Sequence, residues 1–280
     1  MNDSSRAPEP APGRAPSSAP VRRRGRHWAT IPALQIGFFI FVVALWPGLV
    51  DTGALDKFFF SRPSDIALRL GGWLIHGTIY GHLAVTLIEA LLAFVIGTVA
   101  GIIAGFALAR VDLLAAVFDP YIRILNALPR VILGPIFILW FGLGIASKVA
   151  LGVTLVFFIV FFNTFQGVRE VDPVVLKNAR MLRASEAQLL RHVYIPSALA
   201  WIFSSLHTSI GFALVGAVVG EYIGASQGIG YLVAQAQGTF DTTGVFAGLL
   251  LTSAVVLVID MGINRVEAYL LRWRPQKDQR

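Results

Sequence analysis

Long apolar stretches, separated by short charged segments, occupy most of the chain after its first 30 residues. A helix needs about 20 apolar residues to cross the roughly 30 Å hydrocarbon core of a bilayer. The third stretch is the least regular, because Pro135, Gly142 and Gly144 interrupt it. The pattern predicts an all-α membrane protein with six transmembrane helices, each containing at most one charged residue: 30–50, 86–109, 127–145, 149–168, 198–220 and 243–263.

The composition supports this membrane assignment. Hydrophobic residues make up 56% of the 280-residue chain, charged residues make up 14%, and the mean hydropathy is +0.70. Soluble domains carry about 25% charged residues, so a soluble fold of this sequence would lack the polar side chains to cover its surface. The absence of cysteine excludes disulfide frameworks, thiolate metal sites, iron–sulfur clusters and cysteine nucleophiles.

The distribution of basic residues predicts which way the chain crosses the membrane. Of the 23 lysines and arginines, 19 lie in the two tails and in the second and fourth predicted loops, and these segments share one side of the membrane. Basic loops stay in the cytoplasm, so we expect both termini there. This topology explains the net charge of +7, and no nucleic-acid partner is needed to account for it.

The first 27 residues are rich in Pro, Ala, Ser and Arg and lack the apolar residues that form a core. We expect residues 1–27 to be a disordered cytoplasmic tail, residues 28–274 to be the transmembrane domain and residues 275–280 to be a second tail. A secretory signal peptide is the alternative interpretation of the basic stretch and the apolar helix after it. The ending of that helix, WPGLVD, argues against this alternative because it contains no small-residue cleavage site.

Glycines recur at every fourth position in two predicted spans. The second span contains Gly97, Gly101 and Gly105, and the fifth contains Gly216 and Gly220. This spacing puts the glycines of one span on one helix face and lets another helix backbone approach closely. Packing within one chain is the simpler interpretation, and a contact between two subunits is the alternative.

Several polar side chains lie within or near predicted spans, where contact with lipid is costly. Asn163, His207 and Glu221 are candidate residues of a translocation pathway, because each needs a polar partner or water. Glu89 and Asp260 share this property, and with Glu221 they are predicted near span ends, in contact with solvent. No two acidic residues in the spans lie at helical spacing, and His207 has no second histidine or acid within a helical turn.

The fourth predicted loop contains start signals for two short helices. Asp172 followed by Pro173 is typical of an N-cap and a first helical position. Ser185 and Gln188 have the spacing of a capping box, which begins a second helix. We therefore expect two helices over about 173–194, joined by a tight turn. A projecting helical hairpin is typical of a docking element, and an amphipathic helix on the membrane surface is the alternative.

This hairpin resembles the coupling motif of bacterial ABC-transporter permeases, EAA-x3-G-x9-I-x-LP, although lysine, asparagine and arginine replace its Glu, first Ala and Gly. The sequence around the motif is more similar to the family than the motif itself. NARMLRASEAQLLRHVYIPSAL is similar to the family stretch AARxLGASxxQLxRxVxLPxAL, VVGEYIGASQGIGYLVAQA resembles its segment between the last two spans, and NALPRVILGPIFILWFGLGIASKV resembles its third span and the following turn. The resemblance covers about residues 80–274.

The resemblance implies where an ATPase partner is coupled. The positions that match the motif and its surroundings are Lys177, Asn178, Ala179, Leu182, Arg183, Ala184, Ser185 and Pro196. Arg183 occupies the position of the motif glycine. If that turn needs a positive φ, an arginine there is strained by about 1–2 kcal/mol.

The resemblance further implies a type I importer permease, a multi-pass protein of the bacterial inner membrane with six spans and cytoplasmic termini. Its implied partners are a second copy of itself, two copies of an ATP-binding ABC subunit and a periplasmic substrate-binding protein, within the lipid bilayer. The family branch contains nitrate, sulfonate, taurine and bicarbonate permeases and importers of thiamine precursors. A sulfonate- or nitrate-type anion is therefore the implied substrate, and a thiamine-precursor pyrimidine is the alternative.

The sequence itself contains no phosphate-binding loop for ATP. None of its four lysines follows a glycine or precedes Ser or Thr, so the pattern GxxxxGK[ST] is absent. ATP hydrolysis must then come from a separate subunit, and we expect no catalytic residue, cofactor or metal in this chain. The alternative functions are a secondary transporter, which would need paired intramembrane acids and broken helices in matching halves, and an intramembrane enzyme, which would need a nucleophile or metal cluster.

Overall fold

The computed structural model of the protein describes residues 30–270, and every regular element in this part of the chain is helical. The predicted tails, 1–27 and 275–280, lie outside the described residues. The α-helices are α1 (Thr30–Asp51), α2 (Lys57–Phe60), α3 (Pro63–Ile75), α4 (Thr78–Arg110), α5 (Asp112–Ala127), α6 (Leu133–Phe141), α7 (Ile145–Arg169), α8 (Pro173–Met181), α9 (Glu186–Leu189), α10 (Ile195–Ile223), α11 (Ile229–Gly238) and α12 (Thr242–Leu270).

The helices fall into two compact units. The first contains α1 as far as Gly48, and the second runs from Leu49 onward. Helix α1 carries no charged residue before Asp51. The close helix packing and the candidate sites all lie in the second unit.

Five helical segments are long and apolar enough to cross a membrane, and they contain α1, α4, α7, α10 and α12. A sixth crossing is present if the two segments Asp112–Ala127 and Arg130–Phe141, which are bent by 78° relative to each other, count as one span. The sequence predicted a single helix over 127–145 instead. The bend falls at Leu128, whose backbone is extended (φ −67°, ψ 133°), because the following Pro129 disfavours helical geometry at the residue before it.

Other helix ends also differ from the prediction. Helix α4 begins at Thr78 rather than at residue 86, and α7 begins at Ile145 rather than at 149. Lys148, which the sequence pattern places in a loop, therefore lies inside α7. The hydropathy pattern marks only the apolar part of a helix, so a polar first turn is missed.

Helices α4, α7 and α10 pack against one another through small residues. A Cβ atom on Gly101 would lie 2.9 Å from the carbonyl oxygen of Phe157 in α7, and one on Gly216 would lie 2.5 Å from the Cα of Gly152. Gly97 and Gly105 are as close to α7 as Gly101 is. The glycines of the second span therefore serve packing within the chain, as the simpler interpretation proposed.

The outward surface of the helices is apolar. Large hydrophobic side chains are exposed along α4, α6, α10 and α12, including Ile103, Leu139, Val215 and Leu257. An exposed apolar surface of this extent is unstable in water and is satisfied by lipid tails. The fold is that of a multi-pass membrane protein.

Replacing Gly101 by alanine tests the packing of α4 on α7. The added methyl group must displace backbone, so we expect a loss of about 1–3 kcal/mol of stability, measured as a lower thermal unfolding midpoint in detergent. Gly211→Ala on α10 is the matched control, since its Cβ would meet no atom within 4 Å. Equal midpoints for the two variants would show that α4 and α7 are not in close contact.

Candidate functional site

The predicted helical hairpin is present, and local capping explains its shape. The Asp172 side chain accepts a hydrogen bond from the Val174 N–H at 2.7 Å and begins α8. The capping box of α9 is complete: the Ser185 hydroxyl accepts from the Gln188 N–H, and the Gln188 side chain accepts from the Ser185 N–H. Both start signals read from the sequence are confirmed.

The turn between α8 and α9 has a left-handed residue at its centre. Arg183 has φ 57°, and its N–H donates to the carbonyl of Arg180 while the Ala184 N–H donates to the carbonyl of Ala179. This pair of bonds is the Schellman motif, which usually has glycine at the left-handed position. Arginine therefore takes the strained conformation that the motif glycine would adopt freely.

The tip of the hairpin exposes apolar side chains. Met181 and Leu182 are 82% and 84% exposed, beside the exposed Arg183. The other residues predicted to couple the ATPase divide into an exposed group and a half-buried group. Exposed are Lys177, Asn178, Ser185 and Pro196, and half-buried are Ala179 and Ala184. Lys177 and Asn178 lie on α8 and Ser185 caps α9, whereas Pro196 lies in the first turn of α10.

Two ion pairs join this end of the bundle together. Arg110, the last residue of α4, pairs with Glu186 in the hairpin, and its guanidinium carbon lies 5.1 Å from the centre of the Tyr194 ring. Arg169, the last residue of α7, binds Asp112 at 2.7 Å. A π-helical turn over Leu190–Tyr194 makes the chain continuous from α9 into α10. The hairpin is therefore fixed to α4 by Arg110 and to α10 by its own backbone.

A cavity of about 350 Å³ lies beside α7 in the half of the bundle nearest the hairpin. Its polar lining consists of Asn163, Gln166 and Asp119, and phenylalanines of α7 form its apolar wall. Asn163 donates to the carbonyl of Ile159 at 2.8 Å, which fixes its amide against the helix. Of the three predicted pathway residues, Asn163 is the one that lines this cavity.

His207 lies elsewhere, in a narrow groove between α10 and α12. Its Nε2 is 3.1 Å from the Asp260 carboxylate. The sequence showed no acid near His207 because the partner belongs to another helix. The structure thus pairs two polar residues that were considered separately.

Glu221, the third predicted pathway residue, is buried with its carboxylate bound by protein groups. One oxygen accepts from the Thr86 hydroxyl at 2.6 Å, and the other accepts from the Gly230 N–H at 2.7 Å. The Thr86 oxygen accepts in turn from the Ile229 N–H at 2.9 Å. Helix α11 begins at Ile229, so a carboxylate lies at its N-terminus, where negative charge is stabilised. Glu221 therefore fixes the start of α11 to α4 and α10.

Glycine is required where the chain folds over this carboxylate. A Cβ on Gly228, whose φ is +114°, would lie 2.1 Å from the Glu221 carboxyl carbon, and one on Gly230 would lie 2.1 Å from the Val218 carbonyl oxygen. The segment GASQGIG is therefore shaped by contact with Glu221.

Glu89 and Lys148 complete a buried charged cluster with Glu221. No more than 2% of any of the three residues is exposed. Glu89 interacts electrostatically with Glu221 and Lys148, its Oε2 atom is buried without a hydrogen-bond partner, and Lys148 donates to the carbonyl of Leu143 at 2.5 Å. The prediction that Glu89 and Glu221 lie in contact with solvent is wrong, because both side chains point into the interior rather than out of the span ends.

Three helices supply this cluster, and one of its signals was readable in the sequence. His82, Thr86 and Glu89 follow one another at spacings of four and three residues, which places them on one face of α4. A polar stripe in an otherwise apolar helix indicates an interior-facing side. The partners on α7 and α10 had no such signal, because the contacts join residues far apart in the chain.

The candidate residues occupy separate places. The hairpin surface and the Asn163 cavity lie towards one end of the bundle, whereas Glu221 lies towards the other, and His207 faces α12. Among residues 30–270 no three His, Cys, Asp or Glu side chains form a group that could hold a metal ion.

Comparison with known proteins identifies the family. Residues 97–271 match the model of the family described as "Binding-protein-dependent transport system inner membrane component". The chain is 33% identical over 237 residues to the putative aliphatic sulfonates transport permease protein SsuC of Bacillus subtilis, covering 83% of this chain and 84% of that protein. It is 28% identical over 241 residues to the formylaminopyrimidine transport permease protein ThiX of Halalkalibacterium halodurans, covering 86% and 95%.

A solved structure shares the fold. The crystal structure of an amino acid ABC transporter with histidines superposes with a TM-score of 0.57 at 19% identity, covering 72% of this chain and 97% of the matched chain. The helical arrangement is therefore that of an ABC importer permease.

The two acids of the buried cluster are expected to respond differently to loss of charge. Glu221→Gln places an amide N–H₂ against a donor, either Thr86 or Gly230, and should cost about 1–3 kcal/mol of stability. Glu89→Gln should cost less, because the buried Oε2 atom of Glu89 accepts no hydrogen bond that the amide would lose. Thermal unfolding in detergent measures both. If Glu89→Gln is the more damaging variant, the hydrogen bonds from Thr86 and Gly230 to Glu221 do not stabilise the protein as assigned.

Proposed function

Because the chain belongs to the family of binding-protein-dependent transport system inner membrane components, we propose that it is the membrane-spanning subunit of an ATP-driven importer. In this proposal a periplasmic binding protein delivers a small solute, a second copy of the chain completes the pathway, and two copies of a separate ATPase supply the energy. The observation that carries the proposal is the exposed apolar tip of the hairpin. The sequence has no phosphate-binding loop of its own, so the proposal assigns ATP hydrolysis to a separate chain.

The hairpin surface is proposed as the contact with the ATPase. Met181 and Leu182 expose more than four fifths of their surface, which is unfavourable in water and favourable in the core of an interface. The basic side chains of Lys177 and Arg183 lie beside them and supply a charged rim. The surface therefore has an apolar centre and a basic rim, which a partner protein can cover.

Arg110 is proposed to transmit movement of this contact to the membrane. It joins Glu186 and Tyr194 to the end of α4, while the π-helical turn joins the hairpin to α10. Close contacts at glycines join α4 and α10 to α7, so we expect displacement of the hairpin to move the three helices together.

The orientation of the chain in the membrane is inferred from its basic residues. The end of the bundle that carries the hairpin is assigned to the cytoplasm, since 19 of 23 lysines and arginines lie in segments predicted there. Lys148 is one of the four basic residues predicted on the non-cytoplasmic side, but it is buried inside α7. The difference in exposed basic residues between the two sides of the membrane is therefore larger than the sequence count. The bacterial inner membrane is the location that fits this assignment.

The Asn163 cavity is the part of the pathway that the side chains support best, because it combines an amide, a second amide from Gln166 and an aromatic wall. A sulfonate- or nitrate-type anion is the proposed substrate, and the likeness to a sulfonate permease supports it. A thiamine-precursor pyrimidine is the alternative, supported by the likeness to ThiX. A secondary transporter is less well supported: the Glu89–Glu221 pair meets one of its requirements, but the Glu221 carboxylate is occupied in holding the start of α11.

Co-purification tests the function. The tagged protein is extracted gently from its native membranes, its partner chains are identified, and ATPase activity is assayed in the same sample. We expect an ABC ATPase that is lost when residues 177–188 are deleted. A lone chain that moves solute in liposomes without ATP would instead establish the secondary transporter.

A single substitution refines that test. Leu182→Ser removes apolar area from the proposed contact and should lower the amount of ATPase retained about tenfold or more at limiting concentration. Ile75→Ser, in α3 at the other end of the bundle, is matched in exposure (83% against 84%) and should retain the ATPase. Equal retention by the two variants would place the docking surface elsewhere.

Arg183→Gly tests whether the turn needs only a left-handed backbone at residue 183 or also the arginine side chain. Glycine relieves the strained φ, so we expect about 1 kcal/mol of added stability and unchanged ATP-coupled transport. Arg180→Gly, within helix α8, is the control and should destabilise the hairpin by a similar amount. A large loss of transport in Arg183→Gly at normal expression would reveal a specific contact of the arginine side chain.

A further inference from the structure

A polar seam lies between α5 and α7, and it runs from the hairpin end of the bundle towards its centre. At the hairpin end, Arg169 of α7 pairs with Asp112 of α5 at 2.7 Å. The Asn163 cavity comes next along the seam, and α5 contributes Asp119 to its wall while α7 contributes Gln166. Two helices thus bring polar groups together in a part of the molecule whose other side chains are largely apolar.

Arg130 lies where this seam reaches the middle of the bundle. It begins the 3₁₀ turn before α6, and its guanidinium carbon is 4.5 Å from the centre of the Phe158 ring. Phe158 is the fourteenth of the 25 residues in α7. At 1.5 Å per residue it is therefore about 20 Å from one end of this helix and about 17 Å from the other. The positive charge lies near the midpoint of a membrane-spanning helix.

No carboxylate neutralises this charge. The Nη2 atom of Arg130 donates to the side-chain oxygen of Asn126, and the Nε atom is buried without a hydrogen-bond acceptor. Among the described side chains, none of the acids forms an ion pair with the guanidinium. Lys148, which is also buried, interacts with Glu89 and Glu221. An arginine at this depth is costly unless an anion accompanies it, and intramembrane charges of this kind mark solute pathways.

Both neighbours of Arg130 lie one helical turn from the wall of the cavity. On α5, Asn126 follows Ile122 by four residues, and on α7, Phe158 precedes Phe162 by four residues. Ile122 and Phe162 line the cavity, and the rings of Phe158 and Phe162 are 6.3 Å apart. Arg130 therefore lies at the end of the cavity nearest the bundle centre, where its field acts on a charge inside the cavity.

The acids along the seam are already paired or exposed to solvent. Asp119, in the cavity wall, accepts from Arg123 at 2.8 Å. Glu170 is exposed beyond the last turn of α7 and accepts from Gln166 at 3.0 Å. Solvent screens an exposed charge much more than a half-buried one. The cavity is therefore left with one uncompensated charge at its inner end, that of Arg130.

We propose that Arg130 is a specificity-determining residue of the translocation pathway, which holds the negative charge of the solute halfway across the membrane. The anionic group of the solute accepts from the guanidinium and takes the place of the missing carboxylate. Asn126 and Phe158 orient the guanidinium. The inference rests on the proposed importer function and adds to it the residue that distinguishes an anion from a neutral solute. A lipid phosphate offers the same chemistry, and the experiment separates the two sources.

Charge-selective labelling of a thiol tests the site in the tagged complex, purified from native membranes and placed in phosphatidylcholine nanodiscs. The chain has no cysteine, so Ile122→Cys puts its one thiol into the cavity wall. The probes are the anionic sulfonatoethyl and the cationic trimethylammonioethyl methanethiosulfonate, and mass spectrometry of the labelled peptide gives the ratio of their rate constants. Adding Arg130→Gln should lower the anionic-to-cationic ratio about tenfold, because glutamine keeps a donor for Asn126 but carries no charge.

Two further variants separate charge from structure. Arg130→Lys retains the charge at the same position and should keep the ratio within about threefold of the value with arginine. Arg62→Gln is the matched control, because it removes an exposed arginine that pairs with Asp51 outside the seam, and it should leave the ratio unchanged. If Arg130→Gln does not fold, the ratio at Ile122→Cys is compared with that at Ile75→Cys in α3, and the cavity thiol should show an anionic preference about tenfold larger.

Four results would overturn the proposal. Equal ratios with Arg130 and with Arg130→Gln, at equal unfolding temperatures, show that the cavity does not sense this charge. A tenfold fall in Arg130→Lys shows that the shape of the arginine matters rather than its charge. A thiol that reacts with neither probe shows that the cavity is closed to water.

The fourth result concerns lipid. If the two ratios differ in phosphatidylcholine but are equal when phosphatidylglycerol replaces part of it, an anionic lipid neutralises Arg130. Failure of the importer function is recognised separately, as the absence of a co-purified ATPase, and it leaves the dependence of the labelling ratio on Arg130 unaffected.

Discussion

The buried carboxylate of Glu221 constrains the whole end of the bundle at which α10 turns into α11. A charge inside a membrane protein is tolerated only if donors surround it, and here the donors are Thr86 of α4 and the backbone of Gly230. The chain must therefore fold back within a few residues of α10, and glycine is needed at 228 and 230 for the backbone to fit. That reversal places α11 against α4 and starts α12 on its way back across the membrane.

Close packing and buried charge depend on each other. Glycines bring the backbones of α4, α7 and α10 together, and this short separation lets Lys148 and Glu89 lie near Glu221 in one cluster. If Glu89 and Glu221 shared one proton, their combined charge of −1 would be balanced by the positive charge of Lys148. The cluster would then be neutral, which is the state that burial favours. The three helices consequently behave as one body, held by shape along their length and by hydrogen bonds at one end.

The sequence predicted those features that are determined locally. Capping at Asp172 and Ser185 is settled within four residues, so the hairpin was predicted with its helix starts. The third span was misplaced because the chain bends at Leu128. The segments on the two sides of the bend form helices that point in different directions. Burial of Glu89 and the pairing of His207 with Asp260 were missed for a different reason: each depends on a partner from another helix, and spacing along one helix carries no information about it.

The two polar ends of the molecule are joined by the same helices. Helix α4 carries His82 near its start and Arg110 at its end, about 42 Å apart at 1.5 Å per residue. Helix α10 runs from the hairpin to Glu221, whose contact with Gly230 positions the neighbouring Gly228 against His82. Gly97, Gly101 and Gly105 bring the half of α4 nearer the hairpin into close contact with α7, so these two helices are joined along that half. Movement of the hairpin would then reach the opposite end of the bundle along α4 and α10, without a chain of side-chain rearrangements.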